Sequence, residues 1–476
     1  MMTAHEMSGN VRSQRLSNGI VVTVPDEGLG NSAYIVDLAD GRYVVVDPPR
    51  DPVPFLSYGV TAGAKAVYSI ETHLHADFVS GSRELAAEGA RVLAPHAAGM
   101  EFPHRGLNDG DEVDLGGLTL RAIATPGHTP EHLSYLVLDG SSPIALFSGG
   151  ALLSGSLART DLIAPDQTEP LARLLWRSLH ERILVLPDEL PVFPTHGTGA
   201  TFCTASSDAS GSSTTPTTIG WEKTSNPLLA AADENEFVEL MTAGYGTYPR
   251  YFNRLREVNR RGPTTYGPQP PPLAPLSVER VEELIGNGAE VIDTRPIVEF
   301  GAGHIPGSIS IERRAAFATW LGWLVDDDRP LVFVVSEDAD RDEIVRASLK
   351  VGYESLAGEL AGGLEAWRAS GRRVERTSIV KAPEVSPSSG SVIDVRQSDE
   401  FRAGHVPGAI NIELGGLEGQ TSGLPAGPLV VICGHGQRAM TAASILERSG
   451  RGELSVLNGT PSQLAGSLST PLQTDA

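Results

Sequence analysis

One segment of the sequence occurs twice. VIDTRPIVEFGAGHIPGSISIE at 291–312 aligns without a gap with VIDVRQSDEFRAGHVPGAINIE at 392–413, an offset of 101 residues. Self-similarity of this kind means two copies of one small unit rather than one long domain. Each copy reads as a buried strand (VID), a helix carrying Glu-Phe, a G-H-x-P-G turn and a second strand. A later apolar strand, LVFVV at 331–335 or LVVI at 429–432, runs into a loop and then a helix. A strand feeding a loop whose amides open a helix is a ready anion cradle.

The chain of 476 residues has room for about three domains, so the repeats leave space for one more ahead of them. Two linkers mark the boundaries: the Pro-rich GPTTYGPQPPPLAPL at 262–276 and KAPEVSPSSGS at 381–391. The expected domains are therefore 12–262, 277–374 and 385–470. A formal charge of −22 argues against nucleic acid or an anionic membrane surface as partner, because phosphates would be repelled. No apolar run is long enough to span a bilayer, and MMTAHEMSGNVRSQR lacks the apolar stretch of a secretory signal. Only two cysteines occur, Cys203 and Cys433, which rules out a disulfide framework. A cytoplasmic protein is expected. The apolar WLGWLV at 320–325 reads as core, with a homo-oligomer interface as the alternative.

Cys433 lies directly between the strand LVVI and the helix that follows, heading the loop Cys433-Gly434-His435-Gly436-Gln437-Arg438. Glycine lets successive N–H groups converge, and converging amides stabilise a thiolate or the terminal sulfur of a persulfide. Arg438 is placed to attract an incoming anion. A buried, inert cysteine is the commoner fate of a lone thiol, but here strand, glycine-rich loop, arginine and helix all fall where sulfur nucleophilic catalysis needs them. In the first repeat the aligned loop runs from Ser336 to Arg341. A hydroxyl cannot carry sulfane sulfur, and the acidic SEDAD would repel one. His304 and His405 are shared by both copies, so a structural turn role is expected for each.

Ahead of the repeats, THLHADF places His73, His75 and Asp77 in a loop after the strand AVYSI. His128 follows in TPGHTPEH, Ser148-Gly149-Gly150 ends the strand PIALF, and His196 lies in PTHGTG. Single histidines are ordinarily surface or core residues. Several at the ends of successive strands, beside Gly or Pro turns, point to a metal.

Both repeats resemble rhodanese (sulfurtransferase) domains, carrying D-x-R, G-H-x-P-G-[SA] and, in the second, C-x-x-x-x-R. The first copy then reads as an inactive rhodanese. The order H-x-H-x-D, P-G-H-T and P-x-H-G over about 12–262 resembles the metallo-β-lactamase superfamily. The implied fold is α/β and multidomain: an N-terminal αββα sandwich followed by two rhodanese-like domains. The chain as a whole resembles the fused persulfide dioxygenase–rhodanese proteins. That resemblance implies one Fe(II) held by His73, His128 and a carboxylate at position 150, where this chain has Gly. His75, Asp77, Asp161 and His196 are further candidate ligands, with Zn(II) the alternative ion. Phe78 stands where an imidazole of a second metal site is usual, which weighs against a dinuclear hydrolase. Arg159 is expected in a supporting contact, and Cys203 is read as structural.

The activity so implied is oxidation of a low-molecular-weight thiol persulfide by O2 to sulfite, with Cys433 transferring sulfane sulfur to give thiosulfate. Two alternatives stand beside it. One is a metallo-hydrolase of a thioester, like glyoxalase II. The other is a metal-poor scaffold serving a Cys433 sulfurtransferase.

Overall fold

The computed structural model describes residues 12–16, 19–197, 217–243, 245–336, 341–386 and 388–475. The chain divides into two compact units, Met1–Pro271 with Arg346–Gly352, and Pro272–Val345 with Tyr353–Ala476. Cys203 and the acidic stretch 337–340 lie outside the described residues.

In the first unit, strand patterning decides the layering. Tyr34 and Val36 of Asn31–Asp37, with Val44 and Val46 of Arg42–Val46, enter the core between two sheets. Their alternates Ala33, Ile35, Tyr43 and Val45 face helices on the other side, around Phe55 and Leu85. Strands covered on both faces read as nearly continuous apolar runs for this reason. The first sheet has seven strands in chain order, from Arg12–Leu16 to Arg105–Leu107. Its first four are antiparallel, and the strands from Arg42–Val46 onward are parallel. The second sheet has six, with Ser142–Gly149 between Leu133–Asp139 and Pro191–Pro194. Its outer face is covered by the helices Thr168–Ser178 and Glu234–Ala243, which bury Leu175, Phe237 and Met241. The result is a four-layered αββα sandwich.

Residues Arg346–Gly352 join this unit although they follow the expected boundary at 277. Arg346 pairs with Asp51 at 2.6 Å, and Arg254 donates to the carbonyls of Val351 and Gly352 at 3.2 and 3.0 Å.

The second unit holds the two repeats. Each is a five-stranded parallel sheet with the VID strand next to the edge, Glu290–Asp293 in one and Ser391–Asp394 in the other. D-x-R is a structural staple in both. Arg295 grips Asp293 and reaches the Gly303 carbonyl at 2.9 Å, and Arg396 grips Asp394 and reaches Gly404 at 2.8 Å. His304 stacks on Phe300 and donates from Nδ1 to its carbonyl at 3.0 Å, and His405 does the same on Phe401. The two histidines pin turns. The helix Phe317–Leu324 buries Trp320 and Trp323, so WLGWLV is core. Among the described residues no helix is long and apolar enough to cross a membrane.

Candidate functional site

Strand Lys65–Ile70 sits among parallel neighbours in the first sheet, and Glu71–Phe78 continue from its C-terminal end, all buried. Helix Phe252–Arg261 clasps this loop. Asn259 donates to the carbonyls of His75 and Phe78 at 2.8 and 2.9 Å and accepts from Ser80 N–H at 2.8 Å. Tyr251 donates to the Asp77 carbonyl.

His73, His128 and His196 converge from separate strand ends. Their ring centroids lie 4.9 Å (73–128), 5.2 Å (128–196) and 5.4 Å (73–196) apart. Each ring is oriented through Nδ1. Thr72 Oγ1 donates to Asp47 at 2.7 Å and so accepts from His73 Nδ1 at 2.8 Å. Asn31 donates its amide to Asp77 at 2.6 Å, leaving its oxygen to accept from His196 Nδ1 at 3.0 Å. The Arg159 carbonyl accepts from His128 Nδ1 at 2.7 Å. Outer partners of this kind fix the tautomer and aim the Nε2 lone pair. Burial and the neighbouring imidazoles hold His73 and His128 well below the usual histidine range, which keeps both neutral. His73 Nε2 and His196 Nε2 face one another at 3.3 Å. Two lone pairs at that distance repel unless a cation lies between them, so this donor set fits a divalent metal.

His75 is in a different state. Its Nε2 is 3.2 Å from Asp47 and 3.1 Å from Glu71. Burial alone would lower its pKa, but the two carboxyl groups outweigh burial and lift it to about 10. Its ring lies on Phe78, 4.2 Å between centroids. Donor atoms of His73, His75 and His196 fall within 4.8 Å of one another, as do those of Asp47, Glu71 and His75. Asp77 stands behind His196, 3.4 Å from its Nδ1. The expectation of a carboxylate from Asp161 finds no support: that group is held by Arg159 at 2.6 and 2.7 Å, outside both clusters. Arg159 in turn lies across Tyr245 and Tyr248.

Position 150 also departs from expectation. It is not a vacant ligand place, because its backbone is packed against two imidazoles. Gly150 N–H donates to His132 Nε2 at 2.9 Å, and a Cβ there would come within 2.6 Å of His128 Cδ2. Gly149, at φ +56°, would put a Cβ 2.4 Å from His132 Nε2. His132 donates from Nδ1 to Thr125 at 2.8 Å, and burial drops its pKa to about 3. With both nitrogens engaged, it supports the cluster rather than ligating.

In the second unit, Cys433 is buried at the end of strand Leu429–Ile432, and Gly436 N–H donates to its sulfur at 3.1 Å. Gly436 has φ +96°, a conformation that favours glycine. Gly434 and Gln437 are half-buried and His435 is exposed. Arg438 does not stand free for an anion, since both its terminal nitrogens bind Glu400, at 2.6 and 2.8 Å. In the first repeat Arg341 binds Glu359 instead, and Ser336 is 3.5 Å from Glu299, the counterpart of Glu400. A pocket of about 490 Å3 there is lined by Ser336, Glu299, Glu359 and Glu365, among others. Arg295 and Arg341 share its wall with these three carboxylates.

The sandwich with imidazoles at its strand ends defines the metallo-β-lactamase class. A metallo-beta-lactamase from Staphylococcus aureus subsp. aureus COL has this fold, with a TM-score of 0.61 at 25% identity over 72% of this chain and 98% of that one. The rhodanese-like domain family matches residues 277–370 and 379–462. The mitochondrial persulfide dioxygenase ETHE1 of Homo sapiens is 30% identical over 201 residues, 42% of this chain and 70% of the human protein. Hydroxyacylglutathione hydrolase of Rhodopseudomonas palustris (strain BisB18) is 30% identical over 250 residues, 48% of this chain and 93% of that enzyme. The chain belongs to the family of metallo-β-lactamase-fold persulfide dioxygenase–rhodanese fusions. Its relatives place it broadly in sulfur metabolism, and its donor clusters support metal binding.

Sequence reasoning missed His132, Asp47, Glu71 and Asn259. His132 was open to view four residues after His128, in a motif already singled out. Glu71 lies four residues before His75 in the same loop, whereas Asp47 and Asn259 carry no local signal.

Proposed function

We propose that this protein oxidises a low-molecular-weight thiol persulfide to sulfite in its first unit and passes sulfane sulfur through Cys433 in its second. The observation that carries the first half is the facing of His73 Nε2 and His196 Nε2 at 3.3 Å beside His128, each with its other nitrogen already committed. These three imidazoles would hold one Fe(II), with His75 and its carboxyl partners Asp47 and Glu71 alongside. The ion, when bound, supplies coordination for the persulfide sulfur and for dioxygen. The overall change is balanced as RSSH + O2 + H2O giving RSH, sulfite and two protons.

The protein's own groups do the rest. Thr72, Asn31 and the Arg159 carbonyl engage the Nδ1 side of each ring and so aim the Nε2 atoms at one point. Burial of residues 71–80 excludes bulk water from the reacting sulfur. In the second unit the Gly436 amide stabilises negative charge on the Cys433 sulfur. Cys433 takes a sulfane sulfur from a persulfide. Sulfite then attacks that outer sulfur, the S–S bond breaks toward Cys433, and thiosulfate leaves with the thiolate restored. Tethering the two centres raises the effective concentration of the shared intermediate.

A thioesterase reading draws on the similarity to hydroxyacylglutathione hydrolase. Phe78 weighs against it, because an apolar ring fills the place beside His75 where a second imidazole would serve a dinuclear site. Metal analysis with two assays separates the readings. Iron near one per chain and oxygen uptake on glutathione persulfide support the proposal, whereas zinc with thioester hydrolysis supports the hydrolase. A metal-free protein with sulfur transfer alone leaves the scaffold reading.

A further inference from the structure

The Cys433 loop lacks a free cation of its own, because Arg438 is bound at both terminal nitrogens by Glu400. Its oxyanion partners, sulfite and thiosulfate, carry two negative charges each. A cation must come from elsewhere, and the inactive repeat is packed against the loop.

The contacts fix its direction. Ser310 N–H donates to Ser444 Oγ at 3.2 Å, and the Ser310 carbonyl accepts from Thr441 Oγ1 at 2.6 Å. The chain at 310 therefore runs antiparallel to helix Gln437–Arg448, heading for its N-terminus and the Cys433 loop. One helical turn beyond Thr441, about 5.4 Å, covers that gap. The surroundings are close-fitted: a Cβ on Gly436 would lie 3.0 Å from Ile297 Cδ1, and Trp323 fills the space beside Gly415. Four residues past Ser310 comes Arg314, exposed, whose side chain makes no hydrogen bond or ion pair to another described residue. The charged groups that act on it are Arg438, Glu312 and Cys433. Partial burial and the like charge of Arg438 lower its pKa, but a guanidinium stays protonated at neutral pH.

We propose that Arg314, from the inactive repeat, binds the oxyanion acceptor at Cys433 while Arg438 remains held by Glu400. This rests on Cys433 being the sulfur carrier. It gives the first repeat a task that needs no cysteine: it packs Ile297 against the loop at Gly436 and brings a guanidinium whose side chain has no partner among the described residues. In the transfer step the sulfite sulfur forms the new S–S bond, and the electron pair of the old one returns to Cys433. No oxidant or reductant is consumed. Arg314 offsets the charge gathered as a dianion meets a persulfide anion.

The test is thiosulfate formation by the full chain from glutathione persulfide and sulfite, comparing wild type with Arg314→Ala, Arg314→Glu and Arg314→Lys. Loading of Cys433 with sulfane sulfur is followed in parallel by intact-protein mass. The expected result is a KM for sulfite raised about tenfold or more in Arg314→Ala, raised further in Arg314→Glu, and largely restored in Arg314→Lys, with Cys433 still loading. An unchanged KM for sulfite in Arg314→Glu overturns the proposal. Failure of Cys433 to load in wild type is a different outcome: it removes the sulfur-carrier reading, and the Arg314 assignment with it.

Discussion

His73 Nε2 points at His196 Nε2 across 3.3 Å, and the opposite nitrogen of each ring is a committed donor. Two facing acceptors repel unless a proton or a metal cation lies between them, and a divalent ion fits there. Stripping the metal with a chelator should therefore lower the midpoint of thermal unfolding, and adding back the ion should restore it. A metal present at 100 times its Kd contributes about 2.7 kcal/mol. Differential scanning calorimetry with and without chelator checks this, and an unchanged midpoint speaks against a bound ion.

Position 150 offers a sharper discrimination. If Gly150 were simply a lost ligand, Gly150→Asp would improve metal retention. The 2.6 Å approach to His128 Cδ2 and the hydrogen bond to His132 predict the reverse. Gly150→Ala and Gly150→Asp should both bind less metal than wild type and lose about 1–3 kcal/mol of stability from overpacking. Metal analysis after dialysis, with urea denaturation, measures both effects.

Asn259 is the hinge pin of the ligand loop, satisfying two carbonyls and one N–H that are otherwise buried. Asn259→Ala leaves them without partners and should cost about 3 kcal/mol. Metal affinity should fall although the residue touches no ligand atom. A variant that unfolds at the wild-type urea midpoint would show the clasp to be dispensable.

The Glu400–Arg438 pair predicts a pH effect. Burial pushes the Glu400 carboxyl upward, but the Arg438 hydrogen bonds win and hold it below its ordinary value. A depressed carboxyl contributes stability above its unfolded pKa of about 4.3 and loses it as pH falls through the folded value. Wild type should therefore exceed Glu400→Gln in stability near neutrality, with the difference shrinking below about pH 4. Urea midpoints across pH 3–7 test this, and a gap that does not narrow contradicts it.

How much of this was written in the sequence depends on how far apart the cooperating residues lie. The loop THLHADF is local, and so is the Cys433 loop with its strand and helix, so both could be read directly. The repeat at 291 and 392 exposed the two rhodanese units and the loss of the thiol at Ser336. Asp47 and Asn259 could not be found that way, because other elements bring them to His75, whereas Glu71 lies four residues before it in the same loop. Asp161 has its partner close in sequence: Arg159, two residues away, holds it at 2.6 Å. The Glu-Phe of each repeat was visible, yet its charge role emerges only where Glu400 closes on Arg438.

The most direct test of the central claim joins metal content to oxygen consumption in the full chain. The protein is purified without added metal, assayed for iron and zinc, and supplied with glutathione persulfide in an oxygen electrode. Wild type should carry iron near one per chain and take up oxygen. Cys433→Ser should keep that uptake while losing thiosulfate formation, and His128→Ala should lose both iron and uptake. Oxygen uptake that persists unchanged in a His128→Ala protein free of iron would contradict the account.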